Sequence, residues 1–420
     1  MRAGFKAAHP WPIRALNRVG NPLTGIGAAP TLDPQWLRSA ARRATGLEWV
    51  ADAYLDDALD ALATSLRNDA KLSFLGRKMV QVRLVGILST RLRLRELIRT
   101  NPGIAQLPVE PPIVIVGLQR TGTTLLHRLL AADPSAGSMS SWEGASPLPH
   151  PQQPSGAPDL RIAQAAKDER SLKYLAPQFF AIHSVEAEAP EEDVLLLDFA
   201  LHSQMPEVMF HVPGYAKWLA DQDMTPAYEL HRLLLQVLQW QRPRGRWVLK
   251  TPAHLEHLDV LLRVYPGAVV VWTHRDPAQT TASSSSMLAH YQALFSDRVD
   301  HHELARYWLG KNAQIIDRAI AVRAEHPAAF VDINYTELLD DPIAAVQRIY
   351  HAADRRLSDD ALTAMRASLQ ENRQHKHGEH RYSLAQFGLT ITEVDAAYRR
   401  YIDHFAIQTE RGGVRGDLFC

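Results

Sequence analysis

The chain of 420 residues has an ordinary globular composition, with 46% hydrophobic and 22% charged residues. Basic and acidic residues number 46 each, so the formal net charge is zero and a general nucleic-acid binder is not expected. The single cysteine, Cys420, cannot form an intramolecular disulfide, which excludes a secreted disulfide scaffold. No stretch has the apolar length of a signal-peptide core or a membrane span, so we expect a cytoplasmic protein.

The zero net charge hides an asymmetry between two parts of the chain. Residues 1–100 carry 16 basic and 8 acidic side chains, and the remainder is correspondingly acidic. From Pro34 to Arg99 apolar residues recur at spacings of three and four, and we assign residues 1–106 to a mainly helical N-terminal region. Two interpretations fit the basic end of this region. One is a helix that contacts a membrane or another anionic partner, and the other is a helix that packs its apolar face on the core. We favour packing, because soluble helices with basic faces are common.

Five short apolar runs follow, at residues 112–117, 137–142, 247–250, 268–273 and 330–335, with helical patterns between them. Continuous apolar runs are typical of strands buried on both faces of a parallel sheet, although the run at 137–142 is the weakest. We therefore predict for residues 107–420 an α/β core, with a parallel sheet of about five strands flanked by helices. A helical insertion at about residues 150–245 occupies the position of a substrate lid.

The first of these runs leads directly into Gly117-Leu-Gln-Arg-Thr-Gly-Thr-Thr and then into a helical pattern. A strand, a glycine turn and a helix start surround one anion with backbone N–H groups and the positive end of the helix dipole. The spacing is that of the nucleotide-binding P-loop, but Thr123 stands at the lysine position. Nucleoside-triphosphate enzymes use that lysine on the β- and γ-phosphates, so the loop favours a ligand with one 5′-phosphate-centred group, with Arg120 as the cation.

This loop resembles that of the sulfotransferases that use 3′-phosphoadenosine 5′-phosphosulfate (PAPS), commonly written P-[KR]-[ST]-G-T-T. A second family signature, a strand-end arginine and a serine eight residues later that both reach the 3′-phosphate, matches Arg275 and Ser283. The resemblance covers about residues 110–400 and implies the P-loop-like sulfotransferase fold. It also implies sulfuryl transfer from PAPS to a hydroxyl or amine, with 3′-phosphoadenosine 5′-phosphate (PAP) as product and no metal. The loop residues that match are Gln119, where proline is usual, Arg120, Thr121, Gly122, Thr123 and Thr124.

Three further segments resemble bacterial and tyrosylprotein-type sulfotransferases. Residues 247–252 (WVLKTP) look like an LK-x-P segment, and Lys250 at a strand end is expected to stabilise charge on the sulfuryl and leaving phosphate oxygens. Tyr335 begins a segment like YEDL, and residues 377–382 take the place of a loop that closes over the 3′-phosphate. The resemblance implies nucleotide contacts for Tyr335, His377, Gly378 and Arg381.

In-line sulfuryl transfer also needs a general base for the acceptor. Glu143 is our first candidate, because tyrosylprotein-type and several bacterial relatives carry a catalytic glutamate just after the same strand. His183 is the second, because histidine has a suitable unperturbed pKa and cytosolic relatives use one. The acids Glu191, Glu192 and Asp193 that follow could orient a base, hold an acceptor or simply open a helix.

The motifs leave the acceptor open among small molecules, carbohydrates and lipids, and they leave open a peripheral membrane contact through the basic N-terminal region. No metal site is expected, because the histidine cluster at residues 375–380 has no cysteine partner nearby. Two other functions stay open. One is a P-loop kinase or NTPase, which would need the missing lysine, and the other is a nucleotide-binding scaffold without chemistry. For the aromatic residues of the insertion we expect core packing rather than acceptor stacking: Tyr174, Phe179, Phe180, Phe210, Tyr215 and Trp218.

Overall fold

The computed structural model describes residues 9–25, 28–154, 156–177, 186–371 and 382–410. Within these residues none of the helices is long and apolar enough to cross a membrane. Side-chain caps start three of the first four helices, because Asp33, Asp52 and Ser73 each accept a hydrogen bond from a first-turn N–H. These four helices are α1 (Trp11–Gly25), α2 (Pro34–Thr45), α3 (Ala53–Asn68) and α4 (Phe74–Thr100).

Four parallel strands form one sheet in the order β2-β1-β3-β4. The strands are β1 (Ile113–Gly117), β2 (Val248–Lys250), β3 (Val269–His274) and β4 (Phe330–Asn334). Every residue of β1, β2 and β3 is buried, as predicted for strands covered on both faces. The α/β class with a parallel sheet flanked by helices is therefore confirmed.

Helices surround this sheet. The helix after the β1 turn is α5 (Thr123–Ala131), and a short α6 (Ser141–Ala145) follows it. The predicted insertion contains α7 (Leu160–Leu175), α8 (Val194–Leu197), α9 (Met205–Met209), α10 (Pro213–Ala220) and α11 (Thr225–Gln241). After β2 come α12 (Leu258–Val264), α13 (Pro277–Ala293), α14 (His301–Glu325), α15 (Tyr335–Asp340), α16 (Pro342–Ala352), α17 (Asp359–Glu371), α18 (Ile391–Ala397) and α19 (Arg399–Phe405).

Alternate residues of β1 face two different apolar clusters, as the period of a strand requires. Val114 and Val116 belong to the larger cluster, which also contains residues of α2, α3, α4 and the insertion. Ile113 and Ile115 belong to a smaller cluster with α5 and α16. The N-terminal helices thus share one buried core with the sheet.

The strand predicted at residues 137–142 is wrong. Only single bridges form there, from Gly137 to Trp247 and from Ser140 to Pro190. Directly afterwards Ser140 caps α6, and the Glu143 side chain accepts the Ser140 N–H in return. This reciprocal capping box starts a helix where the pattern predicted a strand. The sheet formed by the described residues has four strands.

The basic helix α4 packs on the core, as we favoured. Its Leu84 is buried, and two of its arginines form ion pairs with residues outside the helix. Arg83 pairs with Asp198 of the insertion, and Arg91 pairs with Asp52 at 2.7 Å. Two basic side chains of α4 are therefore neutralised by acidic residues of the same molecule.

Candidate active site

Left-handed backbone conformations shape the turn between β1 and α5. They occur at Gly117 (φ 151°), Arg120 (φ 73°) and Gly122 (φ 87°). A Cβ atom at Gly117 would lie 2.3 Å from the Thr273 hydroxyl, so this position requires glycine. Arg120 adopts the conformation despite its side chain, which is the kind of backbone strain that accompanies functional sites. The N-terminus of α5 consequently opens at the carboxyl end of β1.

Thr121 fixes this loop to the neighbouring strand. Its fully buried hydroxyl lies 2.6 Å from that of Thr273 on β3 and donates to the Leu118 carbonyl at 2.7 Å. The Thr121 side chain is therefore part of the support of the loop. The loop residues that line the adjoining cavity are Gln119, Arg120, Gly122, Thr123 and Thr124.

The structure brings the residues predicted for the 3′-phosphate next to this loop. Ser283 on α13 accepts a hydrogen bond from Arg120 Nε at 3.0 Å, and Arg275 Nη1 donates to the Arg120 carbonyl at 3.0 Å. The Arg275 guanidinium lies 4.0 Å from the centre of the Tyr335 ring. Residues from three strand ends therefore meet at one edge of the sheet.

A carboxylate from the C-terminal segment is paired with Arg275. The two oxygens of Glu410 accept from Arg275 Nε at 2.8 Å and from Nη2 at 3.1 Å, while the Glu410 N–H donates to Asp276 at 2.8 Å. A guanidinium presents the same fork to a phosphate as to a carboxylate. Glu410 thus holds the position at which an anion would contact Arg275, a relation that no motif in the sequence indicated.

A cavity of about 800 Å³ adjoins the loop, a size typical of small-molecule sites. Its polar end contains the loop residues together with Glu191, Glu192 and Thr251. The wall from helices α4 and α13 and the insertion has mainly apolar surface, and it also contains charged side chains, among them Arg83, Arg93, Asp168, Glu186 and Asp198. The apolar side chains are Val82, Ile87, Val194, Leu195, Phe199, Met205, Val208, Met287 and Leu288.

Glu192 lines this cavity, and Lys250, which is not part of the cavity wall, forms an ion pair with it from the protein interior. Lys250 Nζ lies 2.7 Å from Glu192 Oε1, and the Thr251 hydroxyl donates to Oε2 at 3.1 Å. The lysine side chain is almost fully buried, whereas a quarter of the glutamate side chain is exposed. The Glu192 carboxylate is therefore held in a fixed position while it still faces the cavity.

A buried polar network lies directly behind this pair. Asp193 accepts the Lys250 N–H at 2.8 Å through Oδ1, and its Oδ2 contacts His231 Nε2 at 2.9 Å and His254 Nε2 at 2.6 Å. Burial alone would raise the pKa of Asp193, but the adjacent histidines outweigh it and hold this pKa well below its usual range. Asp193 thereby connects the end of β2 to the segment that carries Glu192.

The same three side chains have the composition of a metal site, with ligand atoms within 4.8 Å of one another. Each imidazole, however, already has a partner on both nitrogens. His231 Nδ1 lies 2.6 Å from the Tyr265 hydroxyl, and His254 Nδ1 lies 2.9 Å from the Tyr228 hydroxyl. These are hydrogen-bond distances, so the residues fit a satisfied hydrogen-bond network.

The carboxylate of Glu143, the first candidate base, lies in a helix cap and a buried ion pair. Its carboxylate accepts the Ser140 N–H at 2.9 Å and forms an ion pair with the buried Arg244. Arg242 adds a third contact at 3.3 Å. Its neighbours Ser141 and Gly144 line the cavity, whereas Glu143 is only 2% exposed and is absent from the cavity wall. The oxygens of Glu143 thus serve a helix cap and an ion pair in this structure, and its role as the base stays a prediction.

Several predicted residues lie outside the part of the chain that the structure describes. They are His183, His377, Gly378 and Arg381, together with Phe179 and Phe180. Of the remaining aromatic residues, Phe210 and Tyr215 are buried and Trp218 packs on the core, as expected. Tyr174 differs, because 56% of it is exposed at the end of α7.

Comparison with known proteins identifies the class to which this site belongs. Residues 111–359 match the model of the sulfotransferase family, and the chain belongs to that family. The resemblance to bacterial sulfotransferases is thereby confirmed, and the kinase interpretation is set aside.

The individual relatives are mycobacterial. The chain is 25% identical over 320 residues to the omega-hydroxy-beta-dihydromenaquinone-9 sulfotransferase Stf3 of Mycobacterium bovis and to that of Mycobacterium tuberculosis, covering 70% of this chain and 75% of each relative. The crystal structure of sulfotransferase STF1 from M. tuberculosis is 33% identical, with a TM-score of 0.76 over 87% of this chain and 97% of that one. Sulfotransferase STF9 from Mycobacterium avium is 27% identical, with a TM-score of 0.80 over 90% and 97%. The P-loop-like sulfotransferase fold is confirmed.

Proposed function

We propose that this sulfotransferase moves the sulfuryl group of PAPS to a hydroxyl group of an apolar, lipid-like acceptor. The observation that carries the proposal is the cavity of about 800 Å³ that joins the phosphate loop to mostly apolar walls. Glu192, the proposed base, lines this cavity and is paired with the buried Lys250. The proposed base and the phosphate loop thus border the same cavity.

The donor is assigned from the anion-binding groups. The N-terminus of α5, with the hydroxyls of Thr123 and Thr124, suits the 5′-phosphosulfate, because its N–H groups and helix dipole favour an anion. Arg275 and Ser283 suit a second phosphate, because both already contact Arg120 beside the loop. Two separate anion positions correspond to the 5′ and 3′ groups of PAPS.

The reaction is an in-line displacement at sulfur. The acceptor oxygen forms a bond to sulfur while the bond from sulfur to the 5′-phosphate oxygen breaks, and PAP leaves with the electron pair. Glu192 takes the proton of the acceptor hydroxyl, because its carboxylate faces the cavity between the loop and the apolar walls. Lys250 stabilises the charge that develops on the sulfuryl and leaving oxygens.

The chemical class of the acceptor is inferred from the side chains that line the cavity. Apolar side chains from α4, the insertion and α13 provide most of the cavity surface, alongside a few charged ones such as Arg83 and Arg93, and a mainly apolar surface favours an apolar body over a sugar. One relative is named as a sulfotransferase of an omega-hydroxy menaquinone, which agrees with a hydroxyl on an apolar molecule.

Titration calorimetry with PAP, and separately with ATP plus Mg²⁺, tests the donor. We expect PAP to bind, and Ser283→Ala to weaken that binding about tenfold, because a hydrogen bond to a charged group is lost. Ser284→Ala is the matched control, because that hydroxyl bonds within its own helix to Thr281. Binding of ATP with Mg²⁺ but not of PAP would contradict the assignment.

A series of primary alcohols of increasing chain length tests the acceptor. We expect kcat/KM to rise about three- to fourfold for each added methylene until the cavity is filled, as apolar burial requires. Monosaccharides of similar size serve as the comparison. Equal rates for short and long alcohols, or faster transfer to the sugars, would contradict an apolar acceptor.

A further inference from the structure

The first helix, α1, presents three of its large apolar side chains to solvent. Trp11 is 73% exposed, Val19 is 74% exposed and Leu16 is 43% exposed. Surface helices ordinarily turn such residues toward the core and polar residues outward. The orientation of α1 is the reverse of that arrangement.

Polar contacts on the inner face explain how α1 is held in this orientation. The side-chain oxygen of Asn21 accepts the Phe74 N–H at 2.8 Å, and that of Asn17 accepts the Leu75 N–H at 3.1 Å. Both amide groups also donate to Asp297, at 3.1 Å from Asn17 and 2.8 Å from Asn21. The helix is thus anchored by its asparagines at the start of α4.

Basic residues accompany the exposed apolar face. Arg14 and Arg18 are both exposed on α1, and the helix contains no acidic residue. In the sequence the first acid is Asp33, so residues 1–32 contain only basic charged side chains. A short helix with tryptophan, aliphatic residues and arginine is typical of segments that lie in the interface of an anionic membrane.

The position of α1 relates this face to the cavity. Just before the helix, His9 Nδ1 lies 3.2 Å from the Leu175 carbonyl at the end of α7, while Asn21 contacts the start of α4. Both α7 and α4 line the cavity, through Asp168 and through Val82 and its neighbours. The segment of α1 therefore connects two walls of the proposed acceptor site.

We propose that α1 docks the protein on an anionic lipid surface. Trp11, Leu16 and Val19 enter the headgroup region, and Arg14 and Arg18 contact lipid phosphates. Docking at this point brings the cavity walls next to the membrane, the phase in which an apolar acceptor is dissolved. This advantage for the acceptor rests on the proposed function, whereas the docking itself does not.

Vesicle flotation without any nucleotide tests the docking. The full chain is mixed with vesicles of phosphatidylcholine alone or of phosphatidylcholine with phosphatidylglycerol. We expect binding to the anionic vesicles, and a decrease of about tenfold or more in the partition coefficient for the double variant W11S/V19S and for R14E/R18E. Trp240→Ser is the matched control, because Trp240 is also exposed, at 44%, but lies on α11; it should bind as the unmodified protein does.

Three outcomes would overturn the proposal. They are absence of binding to anionic vesicles, equal binding by W11S/V19S, and a dimer in sedimentation that W11S/V19S converts to a monomer, which would assign the face to a second copy of the chain. PAP binding and turnover of a short, water-soluble alcohol should be unchanged in these variants. Failure of docking with normal turnover would therefore leave the proposed function intact.

Discussion

Glu192 is the side chain on which the proposed chemistry depends most. Glutamine at position 192 keeps the shape and the contact with Thr251 but cannot accept the proton of the acceptor. We expect Glu192→Gln to lower kcat about 10²- to 10⁴-fold, the usual contribution of a general base, while PAP affinity is retained or increased because Lys250 loses its carboxylate partner. Steady-state kinetics and calorimetry measure the two quantities.

The neighbouring Glu191 provides the control for this prediction, because it also lines the cavity. Glu191→Gln should reduce kcat much less than Glu192→Gln does. A larger loss of kcat in Glu191→Gln than in Glu192→Gln, or a normal kcat in Glu192→Gln, would show that a group other than Glu192 accepts the proton.

Glu143 is expected to contribute to stability rather than to chemistry. Its carboxylate and the Arg244 guanidinium are both buried, and removal of one charge leaves the other without compensation. Glu143→Gln should therefore lower the free energy of unfolding by about 3 kcal/mol, with kcat within a few-fold of the unmodified enzyme. Urea denaturation checks the first value. Unchanged stability together with lost turnover would restore Glu143 as the base.

Glu410 should compete with the nucleotide for Arg275. Because it forms the bidentate pair that a phosphate would form, Glu410→Gln is expected to lower the Kd of PAP several-fold. Calorimetry of the two proteins measures the change. A weaker affinity in the variant would mean that Glu410 supports the nucleotide site.

The conformation of a site can be predicted from the sequence where its residues are neighbours in the chain. The loop from Gln119 to Thr124 could be predicted, because its glycines, its hydroxyls and the following helix are neighbours in the chain. The sequence does not choose between Glu143 and Glu192 as the base, because the surroundings of each glutamate depend on a distant partner. Arg244 engages Glu143 and Lys250 engages Glu192, and no local pattern distinguishes the two pairs.

At the scale of elements, α4 forms a wall of the cavity as well as part of the core. Gly86 lines the cavity, and a Cβ atom at this position would meet nothing within 4 Å. Gly86→Leu should therefore place a side chain in the acceptor space and lower kcat/KM for long alcohols. It should also raise the free energy of unfolding by about 0.5–1 kcal/mol, because glycine is a poor helix former.

Gly310→Leu is the matched control for this substitution. Gly310 lies on α14, is exposed, and likewise has open space around a Cβ atom, but it is absent from the cavity wall. It should show the gain in stability without the loss of kcat/KM. An equal kcat/KM in Gly86→Leu and in the unmodified enzyme would remove α4 from the acceptor site.

Element boundaries show the same limit of local pattern. The buried strands β1 and β3 were predictable because continuous β-branched runs have few alternatives. The structure of residues 137–142 could not be predicted in this way, because the capping interaction of Ser140 with Glu143 starts a helix within this run. The location of α4 in the cavity wall depends on tertiary packing, which its own periodicity does not reveal.

For the whole molecule, buried histidines predict sensitivity to acid. Burial lowers the pKa of His127 to about 3 and that of His202 to about 4, and it also lowers the pKa values of His231 and His274. In the unfolded chain these imidazoles take up protons near pH 6.5. Between pH 6.5 and the lower pKa values of the folded protein, the unfolded state therefore binds more protons than the folded state does. Stability should therefore decrease as the pH falls below about 6.5, by up to about 1.4 kcal/mol per pH unit for each histidine.

Urea denaturation at several pH values between 7 and 5 measures this dependence. The unfolding midpoint should fall steadily over the range. Asp193 affects stability only at lower pH. Its contribution to the free energy of unfolding is complete above its ordinary pKa of 3.8, and it is lost as the pH falls from 3.8 toward the lower pKa of the folded protein. A midpoint that stays constant from pH 7 to 5 would contradict the burial of neutral imidazoles.

The proposed function rests on transfer of the sulfuryl group from PAPS to an apolar alcohol, with Glu192 as the base and Lys250 as its cationic partner. Incubation with PAPS and a long-chain primary alcohol, followed by mass spectrometry, tests it most directly. We predict equal amounts of sulfated alcohol and PAP with the unmodified enzyme, nearly as much with Glu143→Gln while it is folded, and only residual product with Glu192→Gln. Absence of sulfated alcohol despite PAP binding, or equal product from Glu192→Gln, would contradict the claim.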